Sequence, residues 1–166
     1  WSSDVCSSDL RTNDAAPDFR LVDVVLHQAG DRSCWHEILP SRPGIILSDC
    51  VVFPTHLVVE ERVAGLLQVR IIDRCGTTRQ LLSRPEPAAS VWLDTNADSS
   101  LGFLRYAWGS LAQPTVREQF DFEDHSIRRL RVDPIGGEHR PSDYVVQRQA
   151  IIARDGTEVP VTLLRL

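Results

Sequence analysis

Ser110 is the hydroxyl residue whose surroundings come nearest to a nucleophile motif, in the stretch Trp-Gly-Ser-Leu-Ala. A hydrolase nucleophile of the Gly-x-Ser-x-Gly type lies on a sharp strand-to-helix turn, and an acid and a histidine follow it along the chain. The stretch around Ser110 has neither that spacing nor the second glycine, and the motif is absent from all 166 residues. We therefore predict that the chain contributes no catalytic residue and no cofactor-binding residue.

The remaining residues that could do chemistry are dispersed along the sequence. Five histidines fall at predicted strand ends and in loops, where we interpret them as exposed or hydrogen-bonded: His27, His36, His56, His125 and His139. Glu60 and Glu61 precede Arg62 near a predicted turn, which indicates a solvated charge cluster rather than an acid–base pair. The basic run Ile127–Val132 alternates arginine with apolar residues, as an exposed strand face does.

Composition argues against two classes of partner. The net charge is −5 and the sequence pI is about 5.5, and an acidic surface attracts neither nucleic acid nor an anionic membrane. No run of residues is long and apolar enough to cross a bilayer. We therefore expect no nucleic-acid partner and no membrane partner.

The first ten residues, Trp1 to Leu10, have no clear helical or strand period and do not resemble a signal peptide. They closely resemble the translated read-through of a sequencing adapter, and we predict that they are a non-native artefact. Methionine is absent throughout, including position 1, which favours a fragment of a longer protein.

Setting those residues aside removes Cys6 and leaves Cys34, Cys50 and Cys75. These three form no Cys-x-x-Cys pair and have no close histidine partner, so a structural zinc site is not expected. We interpret them as buried or half-buried free thiols in a reducing compartment, and we predict no metal-binding residue.

Short strands separated by turns dominate the rest of the chain. In Leu66–Asp73, for example, Leu67, Val69 and Ile71 share one face while Gln68 and Arg70 share the other. Two sets of strand-like stretches follow an initial pair, Phe19–His27 and Trp35–Pro40. The first set is Gly44–Phe53, His56–Arg62, Leu66–Asp73 and Thr77–Leu82, and the second is Ser90–Thr95, Leu101–Ser110, Thr115–Phe122 and Ile127–Asp133.

The two sets align as a repeat, with Asp73 against Asp121 and Leu82 against Leu130. Four short antiparallel strands that recur every ~45 residues are typical of one propeller blade. An all-β sandwich spaces its strands as closely, so the period leaves both folds open. In a propeller we expect large aromatic residues to pack between the blades, namely Trp35, Trp92, Phe103 and Trp108.

The C-terminal stretch, YVVQRQAIIARDGTEVPVTLLRL, predicts a hairpin around Asp155-Gly156. Asp-Gly between strand-like runs is a strong hairpin signal, because both central positions favour positive φ. Val159, Val161 and Leu163 alternate with polar residues and proline, so one face of the second strand is apolar.

Four stretches, read in order, resemble the end of the propeller domain of the prolyl oligopeptidase family: TNDAAPDFRLV, WHEILPSRPGIILSDCVVFPTHLVVEERVAGLLQVRIID, LGFLRYAWGSLAQPTV and DYVVQRQAIIARDGTEVPVTLL. The resemblance covers Thr12 to Leu166, and HLVVEER followed by GLLQVR resembles the oligopeptidase B (protease II) branch in particular. Members of this family are serine peptidases in which a β-propeller caps an α/β-hydrolase domain.

The resemblance implies an all-β fold, a partial β-propeller of about two to three four-stranded antiparallel blades. Residues 11–140 would be C-terminal blades, and residues 141–166 would be a linker and the first hairpin of a truncated catalytic domain. The parent would be a cytoplasmic serine peptidase that cuts short peptides after Lys or Arg, with the propeller excluding large substrates. Its partners would be peptide substrates, the remaining blades and the hydrolase domain, without a cofactor.

Two other readings remain open at this point. One is a free-standing β-propeller module that binds proteins without catalysis. The other is a small all-β sandwich with a binding function, which would have one closed core instead of a series of four-stranded sheets.

Overall fold

The computed structural model describes residues 7–137 and 140–166, and within them the strands form three larger sheets and one two-stranded hairpin. All ladders between the strands are antiparallel. The only helical segments in this part of the chain are single 3₁₀ turns. None of the described helices is long and apolar enough to span a membrane. The predicted all-β partial propeller is confirmed.

The first sheet has three strands in the order β1-β2-β3. Their bounds are β1 Ser7–Thr12, β2 Arg20–Val25 and β3 His36–Leu39, and 3₁₀ turns at Leu26–Gln28 and Arg32–Cys34 lie between β2 and β3. Ser7 to Leu10, the end of the predicted non-native segment 1–10, pair with β2 along β1. Strand pairing depends on backbone groups, so it does not test the origin of these residues, and their non-native origin stays a prediction.

The second sheet has the order β4-β5-β6-β7 and occupies the predicted span Ile45 to Leu82. Its strands are β4 Ile45–Val52, β5 His56–Val63, β6 Leu66–Asp73 and β7 Thr78–Leu82. The third sheet has the order β8-β9-β10-β11 and occupies Ser90 to Val132. Its strands are β8 Ser90–Leu93, β9 Phe103–Gly109, β10 Val116–Asp121 and β11 Ile127–Val132. Each predicted repeat is therefore one sheet, and Asp73 and Asp121 each end the third strand.

Two separate cores hold the three sheets in a stack. Leu21 and Leu39 of the first sheet pack against the second sheet through Leu47, Leu57, Val59 and Ile72. The opposite face of the second sheet packs against the third sheet, and this core contains Phe53, Val58, Val69, Ile71, Leu82, Val91, Leu104, Tyr106, Trp108, Val116 and Phe120. The second sheet is thus covered on both faces, which explains the continuous apolar run Leu57 to Val59 in β5. Two cores on either side of one sheet identify stacked blades rather than a sandwich.

Aromatic side chains pack between the second and third sheets as predicted, but only some of the predicted residues are among them. Trp108 lies in the core between the second and third sheets, with 5% of its surface exposed. Trp35, Trp92 and Phe103 are half-buried outside that core. Tyr106 packs there instead, together with Phe53 and Phe120. Burying one such side chain contributes roughly 1.5–3 kcal/mol relative to leaving it exposed.

The terminal hairpin exists as predicted, but its turn has a different geometry. Its strands, β12 Val145–Ile152 and β13 Glu158–Arg165, pair from Val145 against Arg165 to Ile152 against Glu158. Gly156 has φ +86°, whereas Asp155 is not among the positive-φ residues. The Gly156 amide donates to the Ala153 carbonyl at 3.0 Å and the Ala153 amide to the Thr157 carbonyl at 2.8 Å, which is a three-residue loop with a bulge at glycine. A 3₁₀ turn at Pro141–Asp143 precedes β12.

The two-residue turn with two positive φ angles occurs elsewhere, at Ala64-Gly65 between β5 and β6. Ala64 has φ +47° and Gly65 has φ +84°, and Val63 pairs directly with Leu66. Alanine tolerates this conformation poorly, so the sequence indicates a break between strands at Ala64-Gly65 but not this type of turn.

Candidate functional site

Ser110 caps a turn and is not held as a nucleophile. It follows the last residue of β9, and its Oγ accepts hydrogen bonds from the amides of Ala112, at 3.3 Å, and Gln113, at 3.1 Å. Its own amide donates to the Gln113 carbonyl at 3.2 Å. A hydroxyl that satisfies two backbone donors in this way stabilises a tight turn.

Two of the five histidines, His56 and His125, lie near each other at the opposite end of the sheets from Ser110. His56, at the start of β5, stacks on Phe122 with ring centroids 4.8 Å apart. His125, in the β10–β11 turn, stacks on Phe120 at 5.7 Å. Burial lowers the pKa of His56, and the nearby positive charges of Arg79 and His125 lower it further, against the opposing effect of Asp73.

Among the residues that the structure describes, the other histidines and the cysteines form no such cluster. His27 lies in a 3₁₀ turn and His36 begins β3, while His139 lies outside the described residues. No group of three or more His, Cys, Asp or Glu side chains among residues 7–137 and 140–166 is arranged to hold a metal ion. All three cysteines considered above are free thiols. Cys34 and Cys50 are half-buried as predicted, but Cys75 is exposed, and burial raises the pKa of the Cys50 thiol.

The interpretation of Glu60, Glu61 and Arg62 as a solvated cluster is wrong for its central residue. Glu61 is fully buried, and its carboxylate is ion-paired with Arg42 and with Arg70, whose Nη2 lies 2.6 Å from Oε2. Glu60 accepts a hydrogen bond from the Leu93 amide of the next sheet at 3.0 Å. Only Arg62 is exposed, and it donates to the Gly65 carbonyl at 3.3 Å.

A second buried carboxylate, Glu118, lies on β10 with 4% of its surface exposed. It is ion-paired with Arg84 and accepts a hydrogen bond from the Tyr106 hydroxyl at 2.8 Å. Arg84 also lies over the Trp108 ring, 4.7 Å from its centroid. Burial raises the pKa of the Tyr106 hydroxyl, against the opposing effect of Arg84.

The arginines of both buried pairs come from the connections between sheets, and both sit in the sequence Ser-Arg-Pro. Arg42 lies in Ser41-Arg-Pro43, just before the second sheet, and Arg84 in Ser83-Arg-Pro85, just before the third. A residue before proline is held in an extended conformation, which favours one direction for its side chain. We call these pairs, Arg42–Glu61 and Arg84–Glu118, the connection clamps. The repeated tripeptide was the signal that the sequence analysis missed.

The basic run Ile127–Val132 is confirmed as an exposed strand, because all six residues of β11 are exposed. Its arginines have partners within the chain. Arg129 is ion-paired with Glu118 and Arg131 with Asp133.

A groove of about 370 Å³ opens at the end of the sheets where β5, β7 and β9 finish. Trp92 of β8 forms part of its wall, and the indole passes close to Gly109, where an added Cβ would lie 3.5 Å from the ring. The described residues that line it are Leu66, Ala88, Ser90, Trp92, Gly109, Ser110, Leu111, Gln113, Thr115 and Thr162. None of these residues is charged.

The terminal hairpin contacts the sheets at this same end. Arg148 of β12 donates a hydrogen bond to the Ala64 carbonyl in the β5–β6 turn. A Cβ on Gly65 would lie 3.7 Å from the Pro160 ring of β13, and Thr162 reaches the groove. We call the groove together with this contact the hairpin end of the molecule. It is the best candidate for a functional site among the described residues, because polar and aromatic side chains from two sheets and the hairpin meet there.

Comparisons with known proteins agree with this architecture. The model of a family described as "Prolyl oligopeptidase, N-terminal beta-propeller domain" matches residues 9–133. A curated relative, dipeptidyl aminopeptidase BI of Pseudoxanthomonas mexicana, is 29% identical over 157 residues, which cover 93% of this chain and 21% of the relative. The chain therefore spans about a fifth of the length of that relative.

Solved structures show the same fold. Oligopeptidase B from Leishmania major superimposes with a TM-score of 0.81 at 23% identity, over 96% of this chain and 23% of that protein. Oligopeptidase B from Trypanosoma brucei, with covalently bound antipain in a closed form, gives a TM-score of 0.82 at 22% identity, over 95% of this chain and 23% of that protein.

Proposed function

Because the chain belongs to the prolyl oligopeptidase N-terminal β-propeller family, we propose that it forms the last blades of a cap over the active site of a serine peptidase. The cap admits short peptides and excludes folded proteins by its size. The parent enzyme cuts after Lys or Arg, as the oligopeptidase B branch does. The partners of this chain are the remaining blades and the hydrolase domain.

The position of the hairpin is the observation that carries this proposal. The hairpin follows the last four-stranded sheet directly and touches one end of the stack, at the Ala64-Gly65 turn. Most of its side chains are exposed on both strands. In this proposal the hairpin is the first hairpin of the hydrolase domain, and the peptidase active site lies beyond the hairpin end of the propeller.

The free thiols support a cytoplasmic parent. Cys34, Cys50 and Cys75 are unpaired, and unpaired thiols suit a compartment that keeps them reduced.

The proposal is tested first on the chain alone. The Gly-x-Ser-x-Gly motif is absent from its sequence, and acyl transfer requires a positioned nucleophile together with an oxyanion hole. The purified chain should therefore leave fluorogenic Arg and Lys peptides uncut and take up no serine-directed phosphonate probe. Hydrolysis that survives Ser110→Ala and is blocked by the probe would contradict the proposal.

The second test is a chimera in which residues 12–166 replace the matching segment of oligopeptidase B from Leishmania major. Cleavage of short peptides after basic residues should return, while folded proteins should stay intact. A folded chimera that cuts intact proteins freely would show that this segment does not form the cap. A free-standing interaction module would instead give a folded chimera without any cleavage.

A further inference from the structure

We propose that the groove at the hairpin end binds an uncharged aromatic or aliphatic side chain of the peptide substrate, at a position other than the residue after which cleavage occurs. This inference rests on the proposed function, because it takes the peptide to be a peptidase substrate. It adds a second determinant of specificity, located on the propeller.

The groove is unsuited to a Lys or Arg side chain because none of its described lining residues carries a negative charge. Every lining residue that the structure describes is uncharged. A basic side chain placed there would lose water without gaining a carboxylate partner, which is unfavourable. The buried carboxylates Glu61 and Glu118 are already neutralised by the arginines of the connection clamps.

Trp92 supplies the surface on which a substrate side chain would pack. Its indole lies close to the Gly109 backbone and is half-buried, so part of the ring remains accessible. An added Cβ at Gly109 would lie 3.5 Å from the ring, an ordinary van der Waals distance, so the indole packs directly against this part of the β9 backbone. Aromatic pairs prefer offset or edge-to-face contacts, which a ring held on one side can offer.

The polar part of the groove suits a peptide backbone. The Ser110 turn fixes one wall, because its hydroxyl and amide are both bonded within the turn. Gln113 and Thr115 line the same wall, and their side chains can both donate and accept hydrogen bonds. A few placed polar groups around an apolar surface are typical of small-ligand sites.

The size and place of the groove favour a peptide over a second copy of the chain. About 370 Å³ is enough for one or two side chains, and it lies near the lower limit of pockets for small ligands. Thr162 of the hairpin forms part of the lining, so the groove is continuous with the contact between the sheets and the hairpin. A substrate that passes from the propeller toward the hydrolase domain would therefore pass this groove.

The test is a binding titration of the whole chain with two blocked tripeptides, acetyl-Ala-Phe-Ala-amide and acetyl-Ala-Arg-Ala-amide, followed by NMR shifts. The Phe peptide should bind saturably, and the Arg peptide about tenfold more weakly or not at all. Trp92→Ala should weaken the Phe peptide about tenfold, which corresponds to the loss of one aromatic contact of about 1.4 kcal/mol. Equal binding of both peptides, or binding of neither, would overturn the proposal.

A second variant keeps the proposal testable if Trp92→Ala does not fold. Leu111 lines the groove and is 58% exposed, so Leu111→Glu places a carboxylate there without disturbing a core. It should shift the preference toward the Arg peptide by about tenfold. Leu26→Glu is the matched control, because Leu26 is also 58% exposed but lies in a 3₁₀ turn after β2. An equal effect of the two variants would overturn the proposal.

The chimera separates failure of this inference from failure of the proposed function. Two substrates that are cut after Arg are compared, with either Phe or Gly at a position away from that Arg. In the chimera, Trp92→Ala should raise KM about tenfold for the Phe substrate and leave it unchanged for the Gly substrate. The kcat value should stay unchanged for both. If Trp92→Ala leaves KM for the Phe substrate unchanged while cleavage is retained, the inference about the groove is refuted and the proposed role as a peptidase cap stands. A folded chimera without cleavage, whose propeller segment still prefers the Phe peptide, would refute the cap and keep the groove.

Discussion

The inner strands of the third sheet, β9 and β10, and the strands of the terminal hairpin are of similar length, but only β9 and β10 are deeply buried. In β9 and β10, Leu104, Tyr106 and Phe120 have at most 3% of their surface exposed. In the hairpin, Ile152 is 65% exposed and Val159 is 42% exposed. The hairpin ladder is uninterrupted, whereas the β10–β11 ladder of the third sheet has a register shift between Arg117 and Glu118. Regular pairing alone therefore does not produce a core, and stacking on a neighbouring sheet does. A two-stranded hairpin on its own is only marginally stable in water.

The charged contacts of the two regions differ in the same way. The connection clamps place Glu61 and Glu118 inside the stack, where each has arginine partners. The hairpin is attached through Arg148, which donates to a carbonyl at an exposed site. A buried pair is costly to break because one charge is left without a partner, whereas an exposed contact contributes little.

The largest expected effect comes from breaking a clamp. Glu61→Ala leaves Arg70, whose side chain is only 14% exposed, and Arg42 without their buried carboxylate. We expect the free energy of unfolding to fall by about 3 to 5 kcal/mol, measured by urea denaturation. Glu158→Ala, at an exposed site in β13, is the control and should change stability by less than about 0.5 kcal/mol. Equal losses in the two variants would show that the clamp does not stabilise the stack.

Substitution of two glycines tests the same difference between the stacked sheets and the hairpin, this time through the backbone. Gly76 and Gly156 occupy the same kind of turn, with φ +79° and +86°. An added Cβ at Gly76 would lie 2.1 Å from the Ile38 carbonyl oxygen, but at Gly156 it would meet open space. We expect Gly156→Ala to cost about 1 kcal/mol for the left-handed conformation alone. Gly76→Ala should cost about 2 to 3 kcal/mol, because the first sheet must also shift.

Thermal denaturation of the two glycine variants gives the comparison directly. A larger loss in the hairpin variant than in the Gly76 variant would mean that the first and second sheets are not packed as described.

The strands and their grouping into sheets were predictable from local sequence, whereas the buried charges were not. Alternation and turn residues identify β4 to β11, because a strand buried on one face must repeat every second residue. Glu61 was misread because burial of a carboxylate depends on Arg42, which lies in another part of the chain. The turn at Asp155-Gly156 was predicted, but its bulged geometry depends on pairing of Ala153 with Thr157.

The groove shows the same limit of sequence reasoning. The sequence around Ser110 shows only an incomplete nucleophile motif, although this residue shapes the wall of the groove. Trp92 was expected to pack between blades, and its contact with Gly109 becomes visible only when β8 and β9 are adjacent.

A smaller effect is expected from pH at the opposite end of the stack. Burial against Phe122 lowers the pKa of His56 below its usual 6.5. The unfolded chain therefore binds the proton more readily than the folded chain, so stability present above pH 6.5 is lost as pH falls through the lowered pKa. The urea midpoint should decrease between pH 7.5 and pH 5.5. His56→Phe keeps a ring on Phe122 and should flatten this dependence, and an unchanged slope would rule His56 out as its source.

Native-state hydrogen exchange tests most directly the central claim, that the stacked sheets are one cooperative unit to which the hairpin is loosely attached. Amides of β5, β6, β9 and β10 should exchange slowest and with similar free energies, because they open only on global unfolding. Amides of β12 and β13 should exchange much faster, and Glu61→Ala should accelerate the sheets without affecting the hairpin. Hairpin amides as protected as those of β9, and accelerated equally by Glu61→Ala, would contradict this account.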